Sequence, residues 1–355
     1  MTARTMPAQP AEDTTLGPLP WRRMGGVIWR QHRFALVGVT VLLGAIAVYL
    51  WILGSSLHND YAAAVACHPV GSPACQDAVN TFNGAANFLS NGIILQVLPA
   101  AIGAFVGAPL LAREMETGTF RYTWTQGFGR WRWTLAKLVV LGLAVTVAAE
   151  LFSLVLGWYY QPYFNTGNYA LAITELSPFN SGLFDLREVA FPAWALAAFA
   201  IGALAGMLIR RVVPAIATTL VVYAGLAFAA GLYLREHYLT PLLTTSLNLP
   251  GSAWVLGQWW TKGGVTLGQA TMVQVMDPIF ARNIPAVPSG DVYLFKQGAL
   301  ASTMRYLTQH GYTYWTRCQP GSRYWPFQWI EGGWLYALSV LLIAATIWLV
   351  RRRAA

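Results

Sequence analysis

The chain has 355 residues, of which 56% are hydrophobic and only 10% are charged. Ordinary soluble domains carry about 25% charged residues, so this composition excludes a soluble enzyme. The formal net charge is +9, and because charges avoid hydrocarbon, the basic residues are expected to mark the ends of membrane spans rather than a nucleic-acid-binding surface.

The N-terminal residues 1–20 are rich in proline and poor in apolar side chains, which predicts a disordered cytoplasmic leader. Residues 21–33 place arginines and apolar side chains on opposite arcs at 100° per residue. An amphipathic helix lying in the membrane interface is therefore expected before the first span. The remaining chain, 21–355, is predicted to form a single transmembrane domain.

Six apolar runs are long enough to cross a bilayer, which takes about 20 residues. They are 34–54, 88–112, 135–158, 189–209, 212–234 and 334–350. Basic residues concentrate before the first run, between the second and third, between the fourth and fifth, and after the sixth, which places both termini in the cytoplasm. The expected fold is an all-α polytopic membrane protein with a large extracytoplasmic segment, 235–333, of short helices or loops.

Several polar side chains fall inside the predicted spans, where exposure to lipid is costly. Glu150 in the third span is expected to contact a cationic substrate, to relay a proton, or to bond a neighbouring helix. Polar residues of the second and fifth spans either line a path or hydrogen-bond between helices. These residues are Asn91, Gln96, Thr218, Thr219 and Tyr223.

The three cysteines all fall in predicted outer segments. Cys67 and Cys75 are close in sequence, whereas Cys318 lies far along the chain. In an oxidising compartment a Cys67–Cys75 disulfide is favoured, although a Cys67–Cys318 pair stays open. The neighbouring His58 and His68 match no tight zinc pattern, so no metal site is predicted.

The loop between the second and third spans has the densest clustering of charged and aromatic residues in the chain. Residues 113–135 read REMETGTFRYTWTQGFGRWRWTL. This loop is too short for a folded domain and predicts one or two short helices facing the cytoplasm. The chain contains no G-x-x-x-x-G-K-[ST] pattern, so it lacks the phosphate-binding loop that ATP hydrolysis requires.

This loop resembles the coupling region of type-two ATP-binding-cassette (ABC) exporter permeases, in its acidic pair, its Gly-Thr and the basic residues that open the next span. Residues 319–331 also resemble an actinobacterial subgroup of these permeases. The resemblance implies a short coupling helix on which a separate ATPase subunit docks. The coupling residues would be Glu114, Glu116, Gly118, Thr119, Arg121 and Arg130.

The same resemblance implies that a second permease copy or a paralogue completes the export path, with spans two and five lining it. ATP and Mg would bind the partner ATPase, and this chain would hold no cofactor and would not itself be an enzyme. The location would be the bacterial cytoplasmic membrane. An amphipathic or hydrophobic substrate, such as a drug, antibiotic, peptide or lipid, suits an apolar path.

Two other functions fit a polytopic membrane protein. A proton-coupled secondary transporter using Glu150 would be expected to show internal repeats and more charges within its spans. A membrane-embedded lipid-modifying enzyme would place its catalytic residues in 235–333. That segment shows no nucleophile elbow, H-E-x-x-H pattern or clustered carboxylates, so the exporter permease is the preferred prediction.

Overall fold

The computed structural model describes residues 21–68, 72–89, 93–118, 130–164, 177–180, 182–246, 249–283 and 302–352. Within them, six helices are long and apolar enough to cross a membrane. These candidate spans, numbered 1 to 6 below, are Trp29–Ala66, Val97–Glu116, Trp131–Phe164, Ala190–Ile209, Val212–His237 and Gly321–Arg352. The chain is therefore a mostly helical, polytopic membrane protein, as the apolar runs predicted. The expected leader, 1–20, lies outside the described residues.

Span 1 belongs to one continuous helix, α1 (Trp21–Ala66). The interfacial helix expected over 21–33 is thus not a separate element, because its residues form the first turns of α1. No proline interrupts this stretch, and proline is the residue that most strongly ends a helix. A second helix, α2 (Pro73–Leu89), follows at the far end of span 1.

Span 2 begins later and ends later than the apolar run suggested. After a 3₁₀ turn (Ile93–Gln96) it consists of α3 (Val97–Ile102), a π-helical segment (Gly103–Gly107) and α4 (Ala108–Glu116). The predicted start at residue 88 falls instead at the end of α2. The apolar Phe88 and Leu89 belong to α2, and the prediction joined them to span 2 across the polar Ser90 and Asn91.

Four of the other helices follow the remaining apolar runs, and one, α8, lies in the segment between spans 5 and 6. They are α5 (Arg130–Phe164), α6 (Ala190–Ile209), α7 (Val212–Ala229), α8 (Gln269–Asn283) and α9 (Tyr324–Arg352). Span 5 continues beyond α7 through a π turn (Ala230–Leu234) and a 3₁₀ turn (Arg235–His237). Short 3₁₀ turns also form at Phe184–Leu186 and Gly321–Arg323. Span 6 thus starts well before the predicted residue 334.

The segment between spans 5 and 6 carries a four-stranded antiparallel sheet, where the sequence analysis expected only short helices or loops. Its strands, in the order β1-β4-β2-β3, are β1 (Leu242–Thr244), β2 (Trp254–Lys262), β3 (Val265–Leu267) and β4 (Tyr312–Gln319). Gly263 and Gly264 join β2 to β3 with φ values of 55° and 83°, as a tight hairpin turn requires. Trp260, Met272 and Leu307 form a small core beneath the sheet.

Successive spans run in opposite directions, so the bundle has two distinct ends. The sheet end carries the sheet and the starts of spans 2, 4 and 6; the loop end carries the ends of these spans and the starts of spans 1, 3 and 5. A disulfide at the sheet end joins Cys67 to Cys75, whose Cα atoms are 5.5 Å apart. Cys318 is a buried free thiol in β4.

Two of the three exposed tryptophans on span 6 have a spacing close to the thickness of a bilayer. Trp329 and Trp348 are 63% and 51% exposed, and the helical rise of 1.5 Å per residue places them about 28 Å apart. That distance matches the hydrocarbon thickness of about 30 Å, and tryptophan favours the interface at each side. Glu331 lies two residues beyond Trp329, near the sheet end of candidate span 6.

Span 4 is the central helix. In its most apolar 18-residue stretch 78% of the residues are buried, against 17% in the corresponding stretch of span 5. Glycines let it approach span 2 at backbone distance. A Cβ added to Gly103 or Gly107 of span 2 would lie 2.6 or 2.5 Å from a carbonyl oxygen of span 4, and Gly202 and Gly206 of span 4 meet span 2 carbonyls in the same way. Two facing G-x-x-x-G pairs thus set the closest contact in the bundle.

The glycine contact predicts a clear stability effect. Replacing Gly202 with valine is expected to lower the free energy of unfolding by about 1–3 kcal/mol, because overpacking forces the two backbones apart. Gly225→Val is the matched control, since a Cβ at Gly225 meets no atom within 4 Å. Thermal unfolding of the detergent-purified variants provides the measurement, and equal melting temperatures would contradict the packing assignment.

Candidate functional site

A buried ion pair at the loop end joins the first three spans. Glu114, near the end of span 2, is 7% exposed, and Lys137 in span 3 is fully buried. The Lys137 ammonium pairs with Glu114 Oε1, and the Gln31 side-chain amide of span 1 donates to the same oxygen at 3.0 Å. The ammonium also lies 4.9 Å from the ring centroid of Trp133. Glu114 is thus a buried link between helices rather than a surface contact.

Glu116, the second carboxylate at the end of span 2, bonds a different neighbour. Glu116 Oε2 accepts a hydrogen bond of 3.0 Å from the backbone N–H of Val212, the first residue of α7. The first N–H groups of a helix lack intrahelical partners and carry a partial positive charge, so a carboxylate there is stabilising. Arg210, with φ of 61°, ends span 4 two residues earlier. Glu116 therefore holds the end of span 2 against the turn between spans 4 and 5.

The helix of span 2 ends directly after these carboxylates. The Thr117 amide and hydroxyl both donate to the Arg113 carbonyl, and Gly118 follows with φ of 69°, a conformation that favours glycine. Thr119 and Arg121, together with the coupling helix expected near them, lie outside the described residues. Arg130 begins α5. Of the predicted coupling residues, the structure thus places Glu114, Glu116 and Gly118 together at the loop end.

Exposed arginines surround this site. They come from the start of span 1, the end of span 2, the start of span 3, the turn between spans 4 and 5, and the end of span 6. They are Arg30, Arg33, Arg113, Arg132, Arg210, Arg211, Arg351 and Arg352. Because Glu114 is paired and Glu116 is engaged with α7, the described surface at the loop end is strongly positive.

The predicted path residues that the structure describes have different surroundings. Thr218 faces outward from span 5, whereas Thr219 is buried and bonds the Ala215 carbonyl of its own helix at 2.7 Å. Tyr223 packs edge-to-face on Trp194 of span 4, with the ring centroids 5.5 Å apart. Gln96 lies in the 3₁₀ turn before span 2, and Asn91 lies outside the described residues.

Glu150 is partly buried in span 3. Glu188 is close enough to repel it electrostatically. Glu188 is itself engaged, because it accepts hydrogen bonds from the Arg187 guanidinium and the Tyr324 hydroxyl. Among the described residues no ion pair involves Glu150, so it remains an ionisable group at membrane depth.

The sequence analysis missed a buried ionic cluster at the sheet end. Arg235, at the end of span 5, is 1% exposed, and Glu331 of span 6 is fully buried. Arg235 donates from Nε and Nη2 to the two Glu331 oxygens at 3.0 and 2.8 Å. Trp194 Nε1 of span 4 and the Tyr238 hydroxyl also donate to Glu331, at 3.0 and 3.2 Å. Spans 4, 5 and 6 thus meet on one carboxylate.

Asp185, in the turn before span 4, joins this cluster by pairing with Arg235 Nη2. Burial raises the pKa of the Asp185 carboxyl to about 8, Arg235 opposes this rise, and Glu331 adds to it. One guanidinium thus faces two acids, and protonation of Asp185 makes the cluster neutral. The signal in the sequence was the isolated acid at the start of span 6, since ionisable residues in spans are usually paired.

The family model described as ABC-2 membrane transporter related matches residues 40–235, more than half of the chain. The match includes spans 2 to 4 and most of spans 1 and 5, and therefore also the two carboxylates at the end of span 2. No curated protein and no solved structure matches the chain. The chain belongs to the ABC-2 membrane transporter related family and is a multi-pass membrane protein of the ABC-2 permease type.

Proposed function

We propose that this chain is the membrane-spanning permease subunit of an ATP-driven exporter in the bacterial cytoplasmic membrane. The loop end faces the cytoplasm, in keeping with the positive-inside rule and its exposed arginines. A separate ATPase subunit docks on residues 113–133, binds ATP and Mg, and supplies the energy. A second permease copy or a paralogue completes the path.

The observation that carries this proposal is the pair of carboxylate links at the end of span 2. Glu114 is bonded to span 3 through Lys137 and to span 1 through Gln31, and Glu116 is bonded to the start of span 5. A push on the loop after Gly118 would therefore move four spans together. Both residues act by positioning these spans: Glu114 is buried, and Glu116, although exposed, is bonded to the start of span 5 through Oε2.

The exposed faces of the spans suit an amphipathic or hydrophobic substrate. Span 5 exposes Val213, Val221, Phe228 and Leu232 by 69% or more, and Thr218 lies on its exposed surface. In a pair of permeases this surface would line the path or contact the second subunit. The substrate would leave at the sheet end.

The test is gentle purification of the tagged chain, followed by mass spectrometry for a stoichiometric partner with a phosphate-binding loop. The purified complex in proteoliposomes should show ATP-dependent export of an amphipathic dye. We expect Glu116→Ala to lose about 1 kcal/mol of helix capping, to remain folded, and to hydrolyse ATP with several-fold less transport per ATP.

Glu236→Ala is the matched control, because Glu236 is a partly exposed acid at the opposite end and lies 3.6 Å from His237 Nδ1. It should transport as the unmodified chain does. Transport that needs a proton gradient but no ATP, and that Glu150→Gln abolishes, would replace the exporter with a secondary transporter. If Glu116→Ala transports as much substrate per ATP as the unmodified chain, Glu116 does not have the role assigned to it.

A further inference from the structure

An apolar groove opens on the membrane-facing surface between spans 1 and 2. Its volume is about 260 Å³, and every residue that lines it is apolar. Phe34, Gly38 and Leu42 form the span 1 side, and Leu98, Ala101 and Phe105 form the span 2 side. We call this cavity the span 1–span 2 groove.

Two local features of the backbone create the groove. In span 1, a Cβ added to Gly38 would meet no atom within 4 Å, so the missing side chain leaves open space. In span 2, the π-helical segment Gly103–Gly107 turns its glycines toward span 4 while Phe105 stays 65% exposed. The extra residue per turn therefore places the Phe105 ring at the rim, and such π segments recur at functional sites.

The size of the groove fits a hydrocarbon chain. Because a water-sized group takes up about 30 Å³ in a liquid, the cavity has room for about nine such groups. From Phe34 to Leu42 the groove follows span 1 for about 12 Å, which is most of the depth of one bilayer leaflet.

The charge at one end of the groove favours an anionic headgroup. Arg33 directly precedes Phe34, is exposed, and holds its guanidinium carbon 4.8 Å from the Phe34 ring centroid. Arg30 and Arg113 are exposed at the same ends of spans 1 and 2. The nearby acid Glu114 is already paired with Lys137, so it does not neutralise these arginines.

We propose that the span 1–span 2 groove binds one acyl chain of an anionic phospholipid, whose phosphate is held by Arg33. The lipid fills a gap beside the helix that ends in Glu114 and Glu116. It would thus stabilise the arrangement of spans 1 and 2 at the loop end, whether or not the chain transports a substrate.

The test is native mass spectrometry of the full chain, exchanged from detergent into equal mixtures of phosphatidylglycerol and phosphatidylcholine. The unmodified chain is expected to retain one phosphatidylglycerol molecule. Arg33→Gln should lower its preference for phosphatidylglycerol about fivefold, since one basic residue near a membrane surface contributes about 1 kcal/mol. Gly38→Leu should lose most of the retained lipid, because the new side chain fills the groove.

Two control variants separate this site from general lipid contact. Gly225→Leu adds the same side chain at another open position on span 5, and Arg352→Gln removes an exposed arginine elsewhere at the loop end. Both should retain lipid as the unmodified chain does. Equal retention of the two lipids, or equal loss in Gly38→Leu and Gly225→Leu, would overturn the proposal. Dissociation of an oligomer by Gly38→Leu would instead assign the groove to a second copy.

Discussion

Replacing Glu114 with alanine is expected to lower the free energy of unfolding by about 3–5 kcal/mol. The reason is that the fully buried Lys137 ammonium would lose its counter-charge, and an unpaired charge in a protein interior is strongly destabilising. Lys137→Ala should have an effect of similar size, because it leaves Glu114 unpaired instead. Urea or thermal unfolding of the purified chain measures both.

The double variant Glu114→Leu/Lys137→Met tests whether the pair does more than stabilise the fold. Replacing a buried ion pair with apolar residues of similar size is often neutral or stabilising, so this variant should fold about as well as the unmodified chain. It also removes the hydrogen bond from Gln31. We expect it to bind the ATPase subunit but to transport several-fold less per ATP. Unimpaired transport would leave the pair with a purely structural role.

Hydropathy predicted the number and approximate place of the spans, because a bilayer demands about 20 apolar residues whatever the fold. It could not predict where a helix continues beyond the apolar layer. Residues 321–333 contain polar and aromatic side chains, yet they form the first turns of span 6. Gly332 permits this by its close approach to Val189, whose Cγ1 would lie 2.6 Å from an added Cβ.

The sheet was missed for a different reason. Its strands β1 and β3 are three residues long, too short for an alternating pattern to be visible. Only Gly263-Gly264 gave a local sign of a hairpin, and the central strands β2 and β4 are separated in the chain by α8. Pairing over such a separation depends on packing of Trp260 and Tyr314, whose ring centroids are 4.8 Å apart.

The site could be predicted in part. The resemblance singled out Glu114 and Glu116, but not their buried partners, because a sequence does not state which helices pack together. The Arg235–Glu331 pair joins residues 96 positions apart, and each one alone is an ordinary charge near the end of a span. Only the bundle brings them together.

Replacing Arg235 with methionine is expected to be the most destabilising change at the sheet end. It would leave Glu331 fully buried without its guanidinium, at a cost of about 3–5 kcal/mol. Glu331→Gln should cost less, because removing the Glu331 charge takes away one cause of the raised Asp185 pKa, so that Asp185 can ionise and serve as the counter-charge for Arg235. The glutamine can also still accept a hydrogen bond from Trp194. In thermal unfolding, Arg235→Met should therefore have a lower melting temperature than Glu331→Gln. The reverse order would contradict the charges assigned to the cluster.

Asp185→Asn is expected to stabilise the protein, and the size of this effect should depend on pH. Burial raises the folded-state pKa of Asp185 to about 8, whereas an unfolded aspartate titrates near 3.9. An acid whose pKa is raised by folding makes the protein less stable as the pH rises between these two values. Asparagine resembles the protonated acid and can still accept from Arg235. The variant should thus unfold at a higher temperature than the unmodified chain at pH 8 and at a similar temperature at pH 4, whereas a variant less stable at pH 8 would mean that Asp185 is ionised when it pairs with Arg235.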